Sequence, residues 1–211
     1  MKKYPVLDII KKTNALITDS HFVGTSGKHM PMYINKDAIY PHTKEVSRIG
    51  KLFAEKVKDY DIDVVAAPAL GGIVLSQWTA YHLSKIKKKN ILGVYTEKTP
   101  EKDQIFTRGY DKFVKGKRVF VVEDLTTTGG SVKKVINSVK KAGGKVVAVG
   151  VMLNRDPQNI NSKSIGAPFY PLAELKVEAY DPKECPLCAK NIPINTTVGH
   201  GKKYLESLKA V

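Results

Sequence analysis

The sequence is poor in cysteine and has no apolar run long enough to cross a membrane. Two of its 211 residues are cysteines, and its longest apolar stretches are strand-sized, far short of the ~18 residues of a membrane span. The first residues, MKKYPVLDIIKKTNA, hold lysines without an uninterrupted apolar segment or a small-residue cleavage site. They predict an amphipathic helix rather than a signal peptide, and we expect a cytoplasmic protein.

The sequence is also poor in arginine, although it is strongly basic. Lysine and arginine total 35 against 20 acidic residues, and the net charge of +15 invites a nucleic-acid-binding interpretation. Arginine is the residue best suited to phosphate forks and base edges, and there are only four: Arg48, Arg108, Arg118 and Arg155. The lysines are spread along the chain, with one dense run at 85–89. We therefore expect a solvated basic surface that attracts a small polyanionic substrate, and no nucleic-acid partner.

The two cysteines, Cys185 and Cys188, form one CPLC motif near the C-terminus. A structural zinc ion takes four ligands, so this pair cannot hold one alone, and a redox CxxC normally lies early in a βαβ unit. Two interpretations stay open: a tight turn with two small buried thiols, or a zinc site completed by His200 or by a symmetry partner. As a group the histidines show no metal-ligand spacing: His21, His29, His42, His82 and His200.

Strands and helices are predicted to alternate along the middle of the chain. Continuous apolar runs predict strands buried on both faces, at 61–69, 90–95, 118–124 and 143–153. Apolar residues at helical spacing predict helices at about 5–17, after Pro41, from 71 onward and at 131–141. Residues 21–41 predict short strands and turns. This order indicates an α/β fold with a central, mainly parallel sheet flanked by helices.

Three connections stand out in this pattern. The strand at 90–95 is followed by about twenty polar residues, and loops of that length are usually functional or mobile. The connection APALGG (67–72) is made of small residues that let the backbone approach a ligand closely. The third connection is rich in threonine and glycine, at 125–131. Ligands of open parallel sheets bind beyond the carboxyl ends of the strands, so function is expected in these connections.

The stretch VFVVEDLTTTGGS (119–131) combines two acids with a turn suited to an anion. Its threonines and glycines lead into a helix, where unpaired N–H groups, the dipole and hydroxyls can hold a phosphate. Glu123 and Asp124 would repel a phosphate, but they can accept hydrogen bonds from sugar hydroxyls or help to hold a metal ion. The combination predicts a sugar phosphate. Neither GxxxxGK(S/T) nor a GxGxxG after the first strand occurs, which excludes the two common phosphate motifs.

These residues carry a resemblance to a known family. VFVVEDLTTTGGS closely resembles the phosphoribosyl diphosphate (PRPP) signature of the type I phosphoribosyltransferases. Further segments are similar to segments of the orotate phosphoribosyltransferases in that superfamily, and the similarity covers nearly the whole chain. These segments are FVGTSGKHMPMYIN, VVAAPALGGIVLSQWTAYHL, the stretch 95–124 with its lysine-bearing loop, LNRD at 153–156 and ECPLCAKNIPI at 184–194.

The resemblance implies the type I phosphoribosyltransferase fold, with a small hood subdomain built from the N-terminal segment. We expect a single domain, with the N-terminal helix and hood at about 1–40, the α/β core at about 41–180 and the tail with CPLC at about 181–211. The implied activity is transfer of the 5-phosphoribosyl group from PRPP to orotate, in the biosynthesis of pyrimidines and UMP. The implied cofactor is Mg²⁺, bound mainly through PRPP, and the implied assembly is a homodimer with shared active sites.

The resemblance also implies which residues bind PRPP. The acids at 123–124 would hold the ribose hydroxyls, the turn 126–130 would hold the 5-phosphate, and the turn 67–72 would cradle the diphosphate with magnesium. Lys98, Lys102 and Asp124 are the implied catalytic residues, the lysines reaching the diphosphate from a mobile loop. The implied PRPP-binding residues are Ala69, Gly71, Lys98, Glu123, Asp124, Thr126, Thr127, Thr128, Gly129, Gly130 and Ser131.

Arg155 is the implied partner of the orotate carboxylate, which a guanidinium can bind through two parallel hydrogen bonds. Two other functions stay open: the same chemistry with a purine or another pyrimidine, and a PRPP-sensing regulator that binds nucleic acid. The lysine-bearing loop argues against a regulator, because a sensor has no leaving group to stabilise. The implied orotate-binding residues are Ser26, Gly27, Lys28, Tyr33, Thr127 and Arg155.

Overall fold

The computed structural model describes residues 4–24 and 26–209. Residues 1–3, 25 and 210–211, which belong to the expected hood and tail, lie outside the described part of the chain. The described residues form two compact units, one made of 4–9 and 39–176 and the other of 10–38 and 177–209. The second unit therefore combines most of the expected hood with the expected tail.

Short strands dominate the first forty residues and longer elements follow. In chain order the elements are α1 (Pro5–Lys12), β1 (Leu16–Ile17), β2 (Phe22–Val23), β3 (His29–Met30), β4 (Tyr33–Ile34), a 3₁₀ turn (Lys36–Ala38), α2 (Thr43–Lys56), β5 (Val64–Pro68), α3 (Gly71–Lys87), β6 (Leu92–Lys98), β7 (Gln104–Ile105), α4 (Asp111–Val114), β8 (Arg118–Thr126), α5 (Gly130–Lys141), β9 (Lys145–Asn154), α6 (Ser162–Ile165), β10 (Phe169–Glu174), a 3₁₀ turn (Pro182–Glu184), α7 (Pro186–Ala189) and α8 (Gly201–Lys209). Every helix among the described residues is too short or too polar to span a bilayer.

The first unit is built on a six-stranded sheet with the order β10-β9-β8-β5-β6-β7. The strands from β10 to β6 run parallel, and β7 pairs antiparallel with β6. β5 is buried along its whole length, as the continuous apolar run 64–68 predicts for a strand covered on both faces. The predicted α/β fold with a mainly parallel central sheet is thus confirmed.

Two elements differ from the sequence-based prediction. The first helix ends at Lys12 instead of residue 17, because Asn14 adopts a left-handed backbone (φ 52°) that breaks the helix. Leu16 and Ile17 then pair with β4 instead of lying on a helix face. The long loop expected after residue 95 is also largely ordered, since β6 continues to Lys98 and turns back through β7 as a hairpin.

Helices cover both faces of the sheet. Val132, Val135 and Val139 of α5 pack in one apolar cluster with alternate residues of β8, such as Val119 and Val121. Each such side chain contributes roughly 1.5–3 kcal/mol through its burial. On the opposite face, the ring of Phe120 meets Phe53 of α2 at 6.3 Å between centroids. Successive residues of a strand point to opposite faces of the sheet. The polar residues near the carboxyl end of β8 therefore direct their side chains alternately to the two faces.

Candidate active site

The segments singled out in the sequence meet at the carboxyl edge of the sheet. Because β5, β6, β8 and β9 are parallel, the connections that follow them emerge at this one edge. Backbone hydrogen bonds join them pairwise: the Ala69 amide donates to the Thr96 carbonyl (2.8 Å), and the Arg155 amide donates to the Thr126 carbonyl (2.8 Å). The predicted diphosphate turn therefore lies beside the end of β6, and the predicted phosphate turn lies beside Arg155.

Glu123 and Asp124 are both buried, with 6% and 4% of their surfaces exposed. Strand alternation places Glu123 on the face that carries α5 and Asp124 on the face that carries α3, which keeps the two carboxylates apart. Glu123 Oε1 accepts a hydrogen bond from the Asp124 amide (2.9 Å), and Asp124 Oδ2 accepts one from the Tyr40 hydroxyl (2.8 Å). Tyr40 lies in no recognisable motif, and no pattern in the sequence indicated its contact with Asp124.

The APALGG connection requires a glycine at position 71 because Tyr40 and Asp124 lie very close to its backbone. A Cβ atom at this position would lie 2.2 Å from the Tyr40 hydroxyl oxygen and 2.4 Å from Asp124 Oδ2. Both distances are too short for a real side chain. The start of α3 can therefore approach the acid only because Gly71 has no side chain. The preceding Ala69–Leu70 peptide bond is cis, and 83% of the Leu70 surface is exposed.

The turn after β8 has the form expected of an anion site. The Thr126 hydroxyl accepts a hydrogen bond from the Gly129 amide (3.0 Å), so this side chain shapes the turn. Gly129 adopts φ 73°, a conformation that favours glycine, and it precedes α5 without a capping side chain in the described part of the chain. Thr127 and Thr128 are exposed, and Ser131 is partly so. The first amides of α5 thus face outward with the positive end of the helix dipole.

The two predicted catalytic lysines lie on the β6–β7 hairpin. Lys98 is exposed at the end of β6, two residues beyond the Thr96 carbonyl that holds the diphosphate turn. Lys102 is exposed at the hairpin tip with a left-handed backbone (φ 63°), and its carbonyl accepts a hydrogen bond from Lys134 Nζ. Gln104 anchors the returning strand, since its buried side chain accepts a hydrogen bond from the Thr96 hydroxyl (2.7 Å). The hairpin extends from the same carboxyl edge of the sheet as the end of β8, which carries the acids.

In the second unit, Ser26, Gly27 and Lys28 form the turn that joins β2 to β3. The turn is closed by hydrogen bonds from the Gly24 amide to the Lys28 carbonyl (2.9 Å) and from the Gly27 amide to the Gly24 carbonyl (3.0 Å). Tyr33 is half-buried, and its ring packs on Phe22 at 5.5 Å between centroids. A cavity of about 290 Å³ is lined by glycines of this turn and by the tail residues His200, Lys203 and Tyr204.

The CPLC motif lies in the second unit with two histidines that its spacing did not indicate. Cys185 and Cys188 flank α7, and their sulfur atoms lie beside the imidazoles of His21 and His29. The spacing of the histidines in the sequence did not indicate this grouping, because the fold joins residues more than 150 positions apart. His200, the ligand considered from the sequence, is not among the four side chains that could hold an ion there.

A second ionic cluster lies at the opposite, amino edge of the sheet. The Arg118 guanidinium, at the start of β8, donates through Nε and Nη2 to the two Asp63 oxygens (both 2.9 Å) and through Nη1 to Asp61 (2.5 Å). Hydrogen bonds from Arg118, with a further one from Lys89, hold the pKa of the Asp63 carboxyl well below its usual range. The cluster fastens β5, β6 and β8 together at the end remote from the predicted chemistry.

Comparison with known proteins places this geometry in context. Residues 35–169 match the family model described as "Phosphoribosyl transferase domain". The chain is 38% identical to "Orotate phosphoribosyltransferase" of Caldanaerobacter subterraneus subsp. tengcongensis over 92% of this chain and 96% of that protein. It is 36% identical to the protein of the same name from Thermotoga maritima, over 94% and 100%. The structure of Mycobacterium tuberculosis orotate phosphoribosyltransferase in complex with PRPP shares the fold (TM-score 0.61, 21% identity, 81% of this chain and 94% of that one).

Proposed function

The chain belongs to the phosphoribosyltransferase family, and within it to the orotate phosphoribosyltransferases, and from this premise we propose how its residues serve the reaction. The protein transfers the 5-phosphoribosyl group of PRPP to orotate, giving orotidine 5′-monophosphate and diphosphate in pyrimidine biosynthesis. One observation supports the residue assignments: three segments meet at one edge of the sheet. They are the turn 67–72, the stretch 123–131 and the connection that contains Arg155.

The 5-phosphate of PRPP binds at the turn 126–130 and at Ser131. The outward amides at the start of α5, the dipole of this twelve-residue helix and the exposed hydroxyls of Thr127 and Thr128 all favour an anion there. The ribose hydroxyls donate to Glu123 and Asp124, which lie near the end of β8, just before the turn that begins at Thr126. A sugar phosphate thus meets hydrogen-bond acceptors with its hydroxyls and hydrogen-bond donors with its phosphate.

The diphosphate leaves towards Ala69, Gly71 and the lysines of the hairpin. The bond from C1 of the ribose to the diphosphate oxygen breaks, and its electron pair stays with the diphosphate while positive charge develops on the ribose. The ammonium groups of Lys98 and Lys102 stabilise the charge on the leaving group. Asp124, fixed by Tyr40 and facing Gly71, orients the ribose on the other side of the breaking bond.

The described residues fit a magnesium ion that is held mainly by the substrate. Mg²⁺ prefers oxygen ligands and is usually bound through one or two carboxylates together with substrate phosphates. Asp124 and Glu123 supply carboxylates at the edge where the diphosphate binds. When bound, the ion neutralises charge on the diphosphate and so makes it a better leaving group.

Orotate is a planar anion, and Arg155 is the residue proposed to bind its carboxylate. Its amide is hydrogen-bonded to Thr126, so the side chain starts next to the turn that holds the 5-phosphate, and Thr127 lies close to the same position. A base bound at Arg155 therefore comes within reach of the ribose. For Ser26, Gly27, Lys28 and Tyr33 of the second unit, contact with orotate remains a proposal based on the family resemblance.

We also propose a cytoplasmic homodimer with shared active sites and no nucleic-acid partner. The homodimer is proposed from the resemblance to the orotate phosphoribosyltransferases. The rarity of arginine supports the exclusion of nucleic acid.

One assay tests the function. The purified protein is incubated with PRPP, Mg²⁺ and, in separate reactions, orotate, uracil, adenine and hypoxanthine, and loss of orotate is followed by its absorbance. We expect PRPP-dependent turnover of orotate and at least about 100-fold lower kcat/KM for bases without a carboxylate, because those bases cannot form the two parallel hydrogen bonds proposed for orotate. Turnover of a purine without orotate would overturn the base assignment and leave the PRPP site intact.

A further inference from the structure

We propose that His21, His29, Cys185 and Cys188 form a structural zinc site in the second unit, independent of the PRPP chemistry. Each side chain offers one ligand atom, and the four atoms lie within 4.8 Å of one another. Two neutral imidazoles and two thiolates are a common donor set for structural zinc. The sequence motif supplies only half of this set, and the fold supplies the rest.

The distances between these atoms suit a tetrahedral ion. With Zn–S near 2.3 Å and Zn–N near 2.0–2.1 Å, neighbouring ligand atoms lie roughly 3.3–3.8 Å apart. Cys188 Sγ lies 3.3 Å from His29 Nδ1, and the two sulfurs lie 3.7 and 3.9 Å from His21 Nε2. The two imidazole nitrogens are 2.7 Å apart and would have to separate by roughly 0.6 Å, a shift that small rotations of the rings can supply.

The protein also presents His21 in the form that a metal requires. His21 Nδ1 lies 2.8 Å from the carbonyl oxygen of Ile192, to which it donates its proton. This bond leaves the lone pair of Nε2 directed at the two sulfurs and at His29, and a hydrogen bond of this kind orients most histidine ligands of zinc. The His29 ring is buried and held edge-to-face with Tyr204 at 5.1 Å between centroids.

Electrostatics favour a divalent cation over an empty cluster. Zn²⁺ with two thiolates and two neutral imidazoles has no net charge, so it can be buried at little cost. Three of the four side chains are buried and Cys188 is exposed, so the ion would lie at the edge of the unit.

Zinc would stabilise a unit that has little regular structure. The β2–β3 and β1–β4 pairs of this unit have two residues per strand, too short for stability on their own. The ion would join the β2–β3 hairpin to the tail, because His21 directly precedes β2, His29 begins β3 and the cysteines lie about 160 residues later. Closing such a long connection in the unfolded chain is where a cross-link stabilises most.

The site also has a consequence for the proposed orotate contacts, and this step rests on the proposed function. Ser26, Gly27 and Lys28 lie on the turn between the two histidine ligands. An ion that holds both strands of this hairpin would restrain the turn between them, so zinc would position the predicted base-binding residues without touching the substrate. We therefore expect zinc removal to raise the KM for orotate more than the KM for PRPP.

The decisive measurement is the zinc content of the full-length protein, purified without chelators and analysed by mass spectrometry of the metal. We expect about one zinc per chain for the wild type and for His200→Ala, a matched histidine of the same unit, and below about 0.2 for Cys188→Ser and His21→Gln. Equal zinc content in wild type and Cys188→Ser, or a wild type that binds no zinc after incubation with the ion, would overturn the site.

Two further measurements keep the proposal testable if a variant does not fold. Cobalt added to chelator-treated wild type should give the visible bands of tetrahedral Co²⁺ with sulfur ligands, and octahedral bands would overturn the assignment. The chelated wild type should also have a lower Tm that zinc restores. If zinc removal leaves the ratio of the KM for orotate to the KM for PRPP unchanged, the positioning role is overturned. The zinc content is measured without any activity assay, so it tests the site independently of the proposed function.

Discussion

Replacing Tyr40 with phenylalanine should show whether the Tyr40–Asp124 contact serves PRPP. The substitution removes one hydroxyl, which donates to Asp124 Oδ2 at 2.8 Å, and leaves the volume of the ring unchanged. No cavity is created, so the effect reports the hydrogen bond and the orientation of the acid. Asp124 is 4% exposed, and water can replace the lost donor only in part.

The structure gives the expected size of this effect. A hydrogen bond to a charged group contributes about 1.5–3 kcal/mol, and the unfolding free energy should fall by that amount. For a chain of about 200 residues this corresponds to a Tm lower by roughly 3–12 °C. Because Asp124 is proposed to hold the ribose, a less firmly held carboxylate should raise the KM for PRPP about 10-fold, with a smaller change for orotate.

Thermal unfolding followed by circular dichroism, together with steady-state kinetics at varied PRPP and varied orotate, measures both quantities. Tyr60→Phe is the matched control, since its hydroxyl is hydrogen-bonded to that of Tyr170 (2.6 Å) in the same unit, away from the predicted site. The control should lower Tm without a selective effect on PRPP. If Tyr40→Phe lowers Tm while both KM values stay at the wild-type level, Asp124 serves stability and its proposed role in PRPP binding is refuted.

Three further outcomes are expected. Lys98→Ala should lower kcat by about 100-fold or more if the ammonium meets charge that develops in the transition state, and the exposed Lys112→Ala should leave it nearly unchanged; equal kcat values would exclude Lys98. Arg155→Ala should raise the KM for orotate much more than that for PRPP, and parallel increases would argue against a carboxylate contact. The lowered pKa of Asp63 means that its contribution to stability is complete above about pH 4 and is lost as the pH falls further. Urea unfolding at pH 7 and pH 3 gives the unfolding free energy that each protein loses on acidification. Asp63→Asn should lose about 1 kcal/mol less than the wild type, a modest value because the Arg118 partner is 40% exposed. An equal loss in both proteins would contradict this reasoning.

Much of the α/β unit could be predicted because its signals are local. The apolar run VVAAP predicts a buried strand from its own residues alone, and the two glycines after Thr128 predict the turn that follows β8. Parallel order then follows from the alternation of strands and helices, which brings the turn and Arg155 to the same edge. Within this unit, the alternation of strands and helices is enough to predict that connections far apart in the chain meet at one edge of the sheet.

The remaining features depend on contacts that no local pattern encodes. The contact of Tyr40 with Asp124 joins residues 84 positions apart, and only the space left by Gly71 permits it. The β6–β7 hairpin has a polar sequence typical of a loop, and a buried Gln104 side chain orders it. The pairing of His21 with the cysteines has no sequence signal, because the usual zinc spacing places its ligands close together in the chain.

β8 joins two regions that can be altered independently. Its Arg118 end belongs to the ionic cluster, and its Thr126 end belongs to the phosphate turn. Eight residue steps at about 3.3 Å separate the two ends by roughly 26 Å, about three Debye lengths at physiological ionic strength. Charges introduced around Arg118 to raise thermal tolerance should therefore leave the field at the phosphate turn unchanged. An engineer could redesign one end of this strand for durability and the other for a new base.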